Sequence, residues 1–141
     1  MAVIEEVAER LRTHATALSD VRTAEDLDAL SKGTAPKSGT AFVLPYRERA
    51  EPNELGMGSF RQLVAVQVLV AIVIRKHDDA QGGKRVSGFD ALRDSVETAL
   101  AGWAIAAEDE LFELVSAQAA ALGNGVTVYV QTWQTSRYLE K

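Results

Sequence analysis

"FRQLVAVQVLVAIVIRKHDDAQGG", residues 60–83, is apolar from position 63 to position 74 with Gln67 as the single polar break. Val64, Val66, Val68, Val70, Ile72 and Ile74 recur at period two, and every one of them is β-branched. Leu63, Ala65, Gln67, Leu69, Ala71 and Val73 fall on the opposite face. As a helix this segment would be apolar all round, so β-branching selects a strand. Strands average about five or six residues, which makes this one long enough to be the spine of a sheet. With both faces apolar, both must be covered, by helices or by another subunit. The run then stops in charge at residues 75–79 and in Gly82 and Gly83.

Upstream, "TAFVLPYRE", residues 40–48, reads as a second strand, with Pro45 putting its far end at a sheet edge or exit. "RERAEPNELGMGS", residues 47–59, reads as a loop of functional or disordered length. At the N-terminus, Val3, Ile4, Val7, Leu11, Ala15 and Leu18 form one stripe, and Glu5, Glu6, Glu9, Arg10 and Arg12 lie mainly on the other side. This predicts an amphipathic helix over residues 2–18. The polar stretch that follows has room for a helical turn at 26–30 before Gly33, Pro36 and Gly39 interrupt it.

Downstream, residues 75–88 read as a Gly-containing loop, and "SGFDALRDSVETALAGW" as a second helix. Ser87 is its expected N-cap, Phe89, Leu92, Val96, Leu100 and Trp103 its apolar stripe, and Gly102 its stop. In "LGNGVTVYVQTWQTSRYL", Val126, Val128 and Val130 alternate with Thr127, Tyr129, Gln131 and Trp133, so this is a strand. Gly123, Asn124 and Gly125 are hairpin-turn residues and call for a partner strand within 116–122. Alanine propensity favours helix there. The expected fold class is α+β: a mixed or antiparallel sheet with one long central strand, two amphipathic helices packed on it, and a terminal β-hairpin. One domain would span residues 1–141.

The composition is that of an ordinary soluble globular protein, with 47% hydrophobic and 25% charged residues over 141 positions. A net charge of −5 argues against a general nucleic-acid surface, which needs clustered Lys and Arg. The absence of cysteine excludes disulfides, thiolate metal sites and a cysteine nucleophile. Acids at the N-terminus do not suit a secretory signal. The apolar run at 63–74 is too short to cross a bilayer as a helix, which takes about 20 residues. No membrane contact is expected.

The search for chemistry assigns no catalytic, cofactor-binding or metal-ligating residue. "GTAPKSGT", residues 33–40, has Pro36 where a phosphate loop needs glycine, and it precedes a strand instead of following one. His77, Asp78 and Asp79 carry ligand atoms, but adjacent residues seldom converge on one ion, and the other histidine, His14, lies among exposed charges. Glu108, Asp109, Glu110 and Glu113 read as a solvated acidic turn. The chain has no G-x-S-x-G, and the glycines of "LGMGS" lack a dinucleotide-site setting.

The order of features is more specific than any motif. "Q-x-x-x-V-x-V" (Gln62 to Val68) leads into the long strand, "R-x-x-x-D" (Arg75 to Asp79) leads out of it, and "T-x-x-Y-L" (Thr135 to Leu139) closes the chain. Together with the helix at the start and "GFDALRDSVETALAGW", this pattern resembles the tail terminator (tail completion) proteins of long-tailed bacteriophages and phage-like particles. The resemblance implies a non-enzymatic structural protein without cofactors. Copies would form a hexameric ring on the tail tube, stop its polymerisation and meet the head-completion or connector protein, with DNA passing through the lumen unbound. It implies a strand at 116–122. It also implies a place at the head-proximal end of the virion tail after synthesis in a bacterial cytoplasm.

The loops are the expected contact regions: Arg47, Glu48, Arg49, Glu51, Glu54 and Met57 in the first, and Arg75, Lys76, His77, Asp78, Asp79, Lys84 and Arg85 in the second. Three other readings fit the residues. They are a monomeric sheet between helix layers, another neck or connector protein, and a small ligand-binding α/β module with a pocket between helix and sheet.

Overall fold

The computed structural model describes residues 2–25, 30, 36–75, 83–106, 109–123 and 126–141. Its elements are α1 (Ala2–His14), β1 (Asp20–Thr23), β2 (Thr40–Ala50), β3 (Arg61–Arg75), α2 (Gly83–Leu100), β4 (Glu113–Gly123) and β5 (Val126–Glu140). The strands form one sheet in the order β1-β2-β3-β5-β4. β1 pairs with β2 in parallel, and every other pair is antiparallel. The fold is α+β, as the sequence predicts, and the 15-residue β3 is its central strand. β3 is paired with β5 along its whole length, from Arg61↔Glu140 to Arg75↔Val126.

The two faces of β3 divide the core as period two requires. Val68, Val70 and Ile72 join Ala41, Val43 and Trp133 beneath Ile4, Val7, Ala8 and Leu11 of α1 and Leu92, Val96, Ala99 and Leu100 of α2. Both helices therefore lie on one side of the sheet. Leu69, Ala71 and Val73 build the opposite cluster with Phe42, Leu44, Val126, Val128, Val130 and the buried Leu30. Each fully buried valine, leucine or isoleucine in these clusters contributes about 1.5–3 kcal/mol relative to exposure.

Several boundaries differ from expectation. α1 stops at His14, four residues short of 18. The Thr13 hydroxyl donates to the carbonyls of Glu9 and Arg10, a local bond that competes with the helix ladder. Ala15 stays buried, and Leu18 packs on the same cluster from the turn beyond. β1 was not expected, because its single buried apolar residue, Val21, gives no period to detect. Pro45 does not end β2. The strand passes it through a register shift between Pro45 and Arg47, and Pro45 sits beyond the last β1 pair, Thr23↔Val43, where no ladder donor is needed.

α2 begins at Gly83, so residues 83–88 are helical and Ser87 lies inside the helix instead of capping it. Lys84 and Arg85 are good helix formers, which outweighs the glycine at the end. Gly102 does close the helix, at φ +74°. β4 is a strand despite its alanines and starts at Glu113, three residues before 116. Its ladder to β5, from Glu113↔Gln134 to Gly123↔Val126, overrides the helical propensity. Asn124 and Gly125 of the expected turn, and all but Leu30 of the expected helical turn at 26–30, lie outside the described residues.

Candidate assembly surface

The sheet extends further than the helices that cover it. β2 is exposed from Pro45 to Ala50, and β5 is exposed from Arg137 to Glu140. With β3 between them, these segments form a three-stranded arm, aligned at Ala50↔Val64 and Val64↔Arg137. Arg47, Glu48 and Arg49 therefore lie on a strand and not in a loop.

Each face of the arm carries a polar tie across β3. On the helix side, Arg137 donates to both carboxylate oxygens of Glu48, at 2.8 and 3.3 Å. The bond from Glu48 raises the Arg137 pKa above its ordinary value. On the other side, Arg47 Nε donates to Gln67 Oε1 at 2.9 Å and Gln67 Nε2 donates to Gln134 Oε1 at 2.8 Å. Gln134 pairs in turn with Glu113 of β4.

The loop at 51–60 is closed by Asn53. Its Oδ1 accepts from the amides of Leu55 and Arg61, and its Nδ2 donates to the carbonyls of Leu55 and Ser59. Backbone bonds from Glu51 to Leu63 and from Glu54 to Arg61 continue the ladder into the loop. At the tip, Met57 has φ +58° and a wholly exposed side chain, with exposed Leu55 nearby. At the base, Arg61 stacks on the Tyr138 ring 3.7 Å from its centroid. The loop thus holds an exposed apolar tip on a hydrogen-bonded base.

Of the second expected contact region, Arg75 stands at the other end of the sheet. Arg75 ends β3, and its Nη1 donates to the Pro36 carbonyl at 2.9 Å. Lys76, His77, Asp78 and Asp79 lie outside the described residues, as do the side chains of Lys84 and Arg85. The structure therefore gathers Arg47, Glu48, Arg49, Glu51, Glu54 and Met57 on the arm and its loop, and places Arg75 far from them.

Sequence reasoning missed the exposed apolar residues at the sheet's sides: Tyr46 on β2, and Leu111, Leu114 and Val115 around the start of β4. The approach to β4 is held in place by neighbours. Thr135 Oγ1 donates to the Glu110 carbonyl, Phe112 exchanges backbone bonds with Gly102 and Trp103, and the Phe112 and Trp103 rings stack at 5.3 Å. Nothing in the sequence marks these exposed side chains, since Leu111, Leu114 and Val115 are exposed and Phe112 is buried within one mainly apolar stretch.

Among the described residues no group of His, Asp and Glu could hold a metal, and no described helix is long and apolar enough to cross a membrane. A cup of about 270 Å³ opens beside the β2 bulge, lined by Ile4, Pro45, Tyr46, Val66 and Val68 with Arg47 and Glu48. That volume falls short of the roughly 300–1,000 Å³ of small-molecule sites, and Glu48 is already engaged by Arg137.

Comparison with solved structures finds the same fold in a chain of the "Virion of native gene transfer agent (GTA) particle". It has 15% identity and a TM-score of 0.54, and the match covers 96% of this chain and 95% of that one. No curated protein matches. The family model "Phage tail terminator protein" matches residues 1–141. A match that runs from the first helix through the terminal hairpin gives one conclusion: the chain belongs to the phage tail terminator protein family.

Proposed function

We propose that copies of this chain assemble into a hexameric ring on the head-proximal end of a virion tail tube. The ring ends tube polymerisation and presents the surface that the head-completion or connector protein joins. It works by binding, without a reaction and without a cofactor. The whole chain acts as one domain in this reading. The observation that carries it is the family match over all 141 residues, and the exposed arm with its apolar loop tip supports it.

Within that scheme, Glu51, Glu54 and Met57 on the loop, with Arg47, Glu48 and Arg49 on the arm, meet neighbouring proteins of the particle. Arg75, at the sheet's other end, meets them too, together with Lys76, His77, Asp78, Asp79, Lys84 and Arg85. DNA crosses the lumen without specific contact, which suits a chain of net charge −5, since a basic lining would retain the duplex.

Deleting the gene and measuring tails by electron microscopy tests the function. Tails of uncontrolled length, without heads, are expected. Tails of normal length that still lack heads would assign the chain to the neck instead, and normal tails with heads attached would refute both.

A further inference from the structure

The two sides of the sheet differ in a way that one isolated copy does not use. On one side, β4 is exposed along almost its whole described length, and from Leu114 to Gly123 it carries neither charge nor proline. Between its register shifts at Leu114/Ser116 and Ala121/Gly123 the ladder to β5 is regular, and among the described residues no strand pairs with its outer edge. Natural sheets guard such edges with lysine, proline or short strands. Beside the edge stand the exposed Leu111, Leu114 and Val115, among Asp109, Glu110 and Glu113.

The other side is its complement. β1 leaves β2 at Val43, and past that point β2 exposes Tyr46, the cup beside the bulge, Arg47 and Arg49. Strand register brings the two sides into line. Leu114, Trp133, Val68 and Pro45 form one row across the sheet, and Glu113, Gln134, Gln67 and Arg47 form the next. Each row thus ends at one side in a feature that matches the other: apolar side chain against apolar cup, carboxylate against guanidinium.

We infer that the ring contact joins these two sides, with the start of β4 of one copy seated against the bare half of β2 of the next and the rest of β4 running along its β1. Leu114 and its apolar neighbours cover the cup, and Glu113 lies beside Arg47 of the adjoining copy. The small side chains of Ala117 and Ala119 let the backbones approach along the rows of Thr23 and Val21 in β1. Because the patches differ, the contact is heterologous and propagates until the rotation closes a ring. This inference rests on the ring reading proposed above and specifies its interface.

The chain has no cysteine, so site-directed cross-linking has no background. Leu114→Cys and Tyr46→Cys chains are mixed and treated with a short bis-maleimide, and wild-type assembly with and without tail tubes is followed by sedimentation. Cross-linked dimers from the mixture, none from either variant alone, and a ladder ending at the ring size from the doubly substituted chain are expected. Leu114→Lys and Ala119→Lys should stay folded by circular dichroism and lose the ring. Glu113→Arg should raise the half-assembly concentration by about tenfold, the effect of losing one interfacial charge pair, and Arg47→Glu added to it should restore assembly.

Rings that form unchanged in the lysine variants, without cross-links, would overturn this interface and leave the ring itself standing. Cross-linking of Leu114→Cys to itself would overturn it in favour of a two-fold contact. Wild-type chain that forms no ring even on tubes would overturn both the interface and the ring.

Discussion

Arg47 and Glu113 stand at opposite ends of one row that crosses four strands, with Gln67 and Gln134 between them. The row is hydrogen-bonded from Arg47 through Gln67 to Gln134. Arg47 is exposed and Gln134 half-buried, so both reach water when Gln67 is removed. Gln67→Leu should therefore cost less than about 1 kcal/mol in urea unfolding. A loss of several kcal/mol would mean that the row holds the sheet together.

Gln131 is the contrasting case. It is fully buried, accepts from Trp133 Nε1 at 3.0 Å and donates to Glu97 at 3.2 Å. Trp133→Phe keeps an aromatic ring but leaves the Gln131 oxygen without its donor. The expected cost is about 1–3 kcal/mol for the unsatisfied group, with a further loss for the smaller ring. Urea titration of the two proteins measures it.

Val68 is 1% exposed and central in both the strand and the helix-side cluster. Val68→Asp buries a carboxylate without a partner, at a cost of several kcal/mol. The variant should be insoluble or lack a cooperative melt. A soluble protein with a sharp transition would contradict the central place of β3.

Two glycines separate steric from conformational cost. Gly102 has φ +74° and open space where a Cβ would go, so Gly102→Ala should cost about 1–2 kcal/mol, the strain of a left-handed residue. Gly39 has φ +88°, and its Cβ would come within 2.5 Å of Ser19 Oγ. Gly39→Ala should therefore lower the melting temperature further than Gly102→Ala. Equal shifts would show that Ser19 moves aside freely.

The hydrogen bond from Arg22 holds the Asp20 carboxyl below the ordinary 3.8, and the Val21 amide adds to this. A depressed folded-state pKa stabilises the fold above the ordinary value, and the contribution disappears as pH falls through the folded pKa. The pair is largely exposed, so the effect is small. Wild type should lose slightly more stability than Asp20→Asn as pH falls below 3.8. An identical acid profile would place the shift elsewhere.

The long strand, its two apolar faces, the second helix and the terminal strand were legible because burial on a regular element leaves a period in the sequence. Where pairing and not burial makes the element, no period exists. β1 buries only Val21, and β4 is an edge strand whose alanines other than Ala120 are exposed, so local propensity pointed to helix and only the hairpin turn and the family pattern pointed to strand. The arm was partly legible for a related reason. "RER" is charged on both faces, which reads as loop, although its backbone pairs with β3 from Arg47 to Arg49. The apolar residues at the sheet's sides were not legible, because an exposed leucine and a buried one look alike until the register is known.

Incubating purified chain with purified tail tubes under electron microscopy shows whether this protein ends tubes by capping them, as proposed. One ring at a single end of each tube is expected, with no further growth when fresh tube protein is added. Tubes that keep elongating with the chain present, or that are decorated along their length, would contradict it.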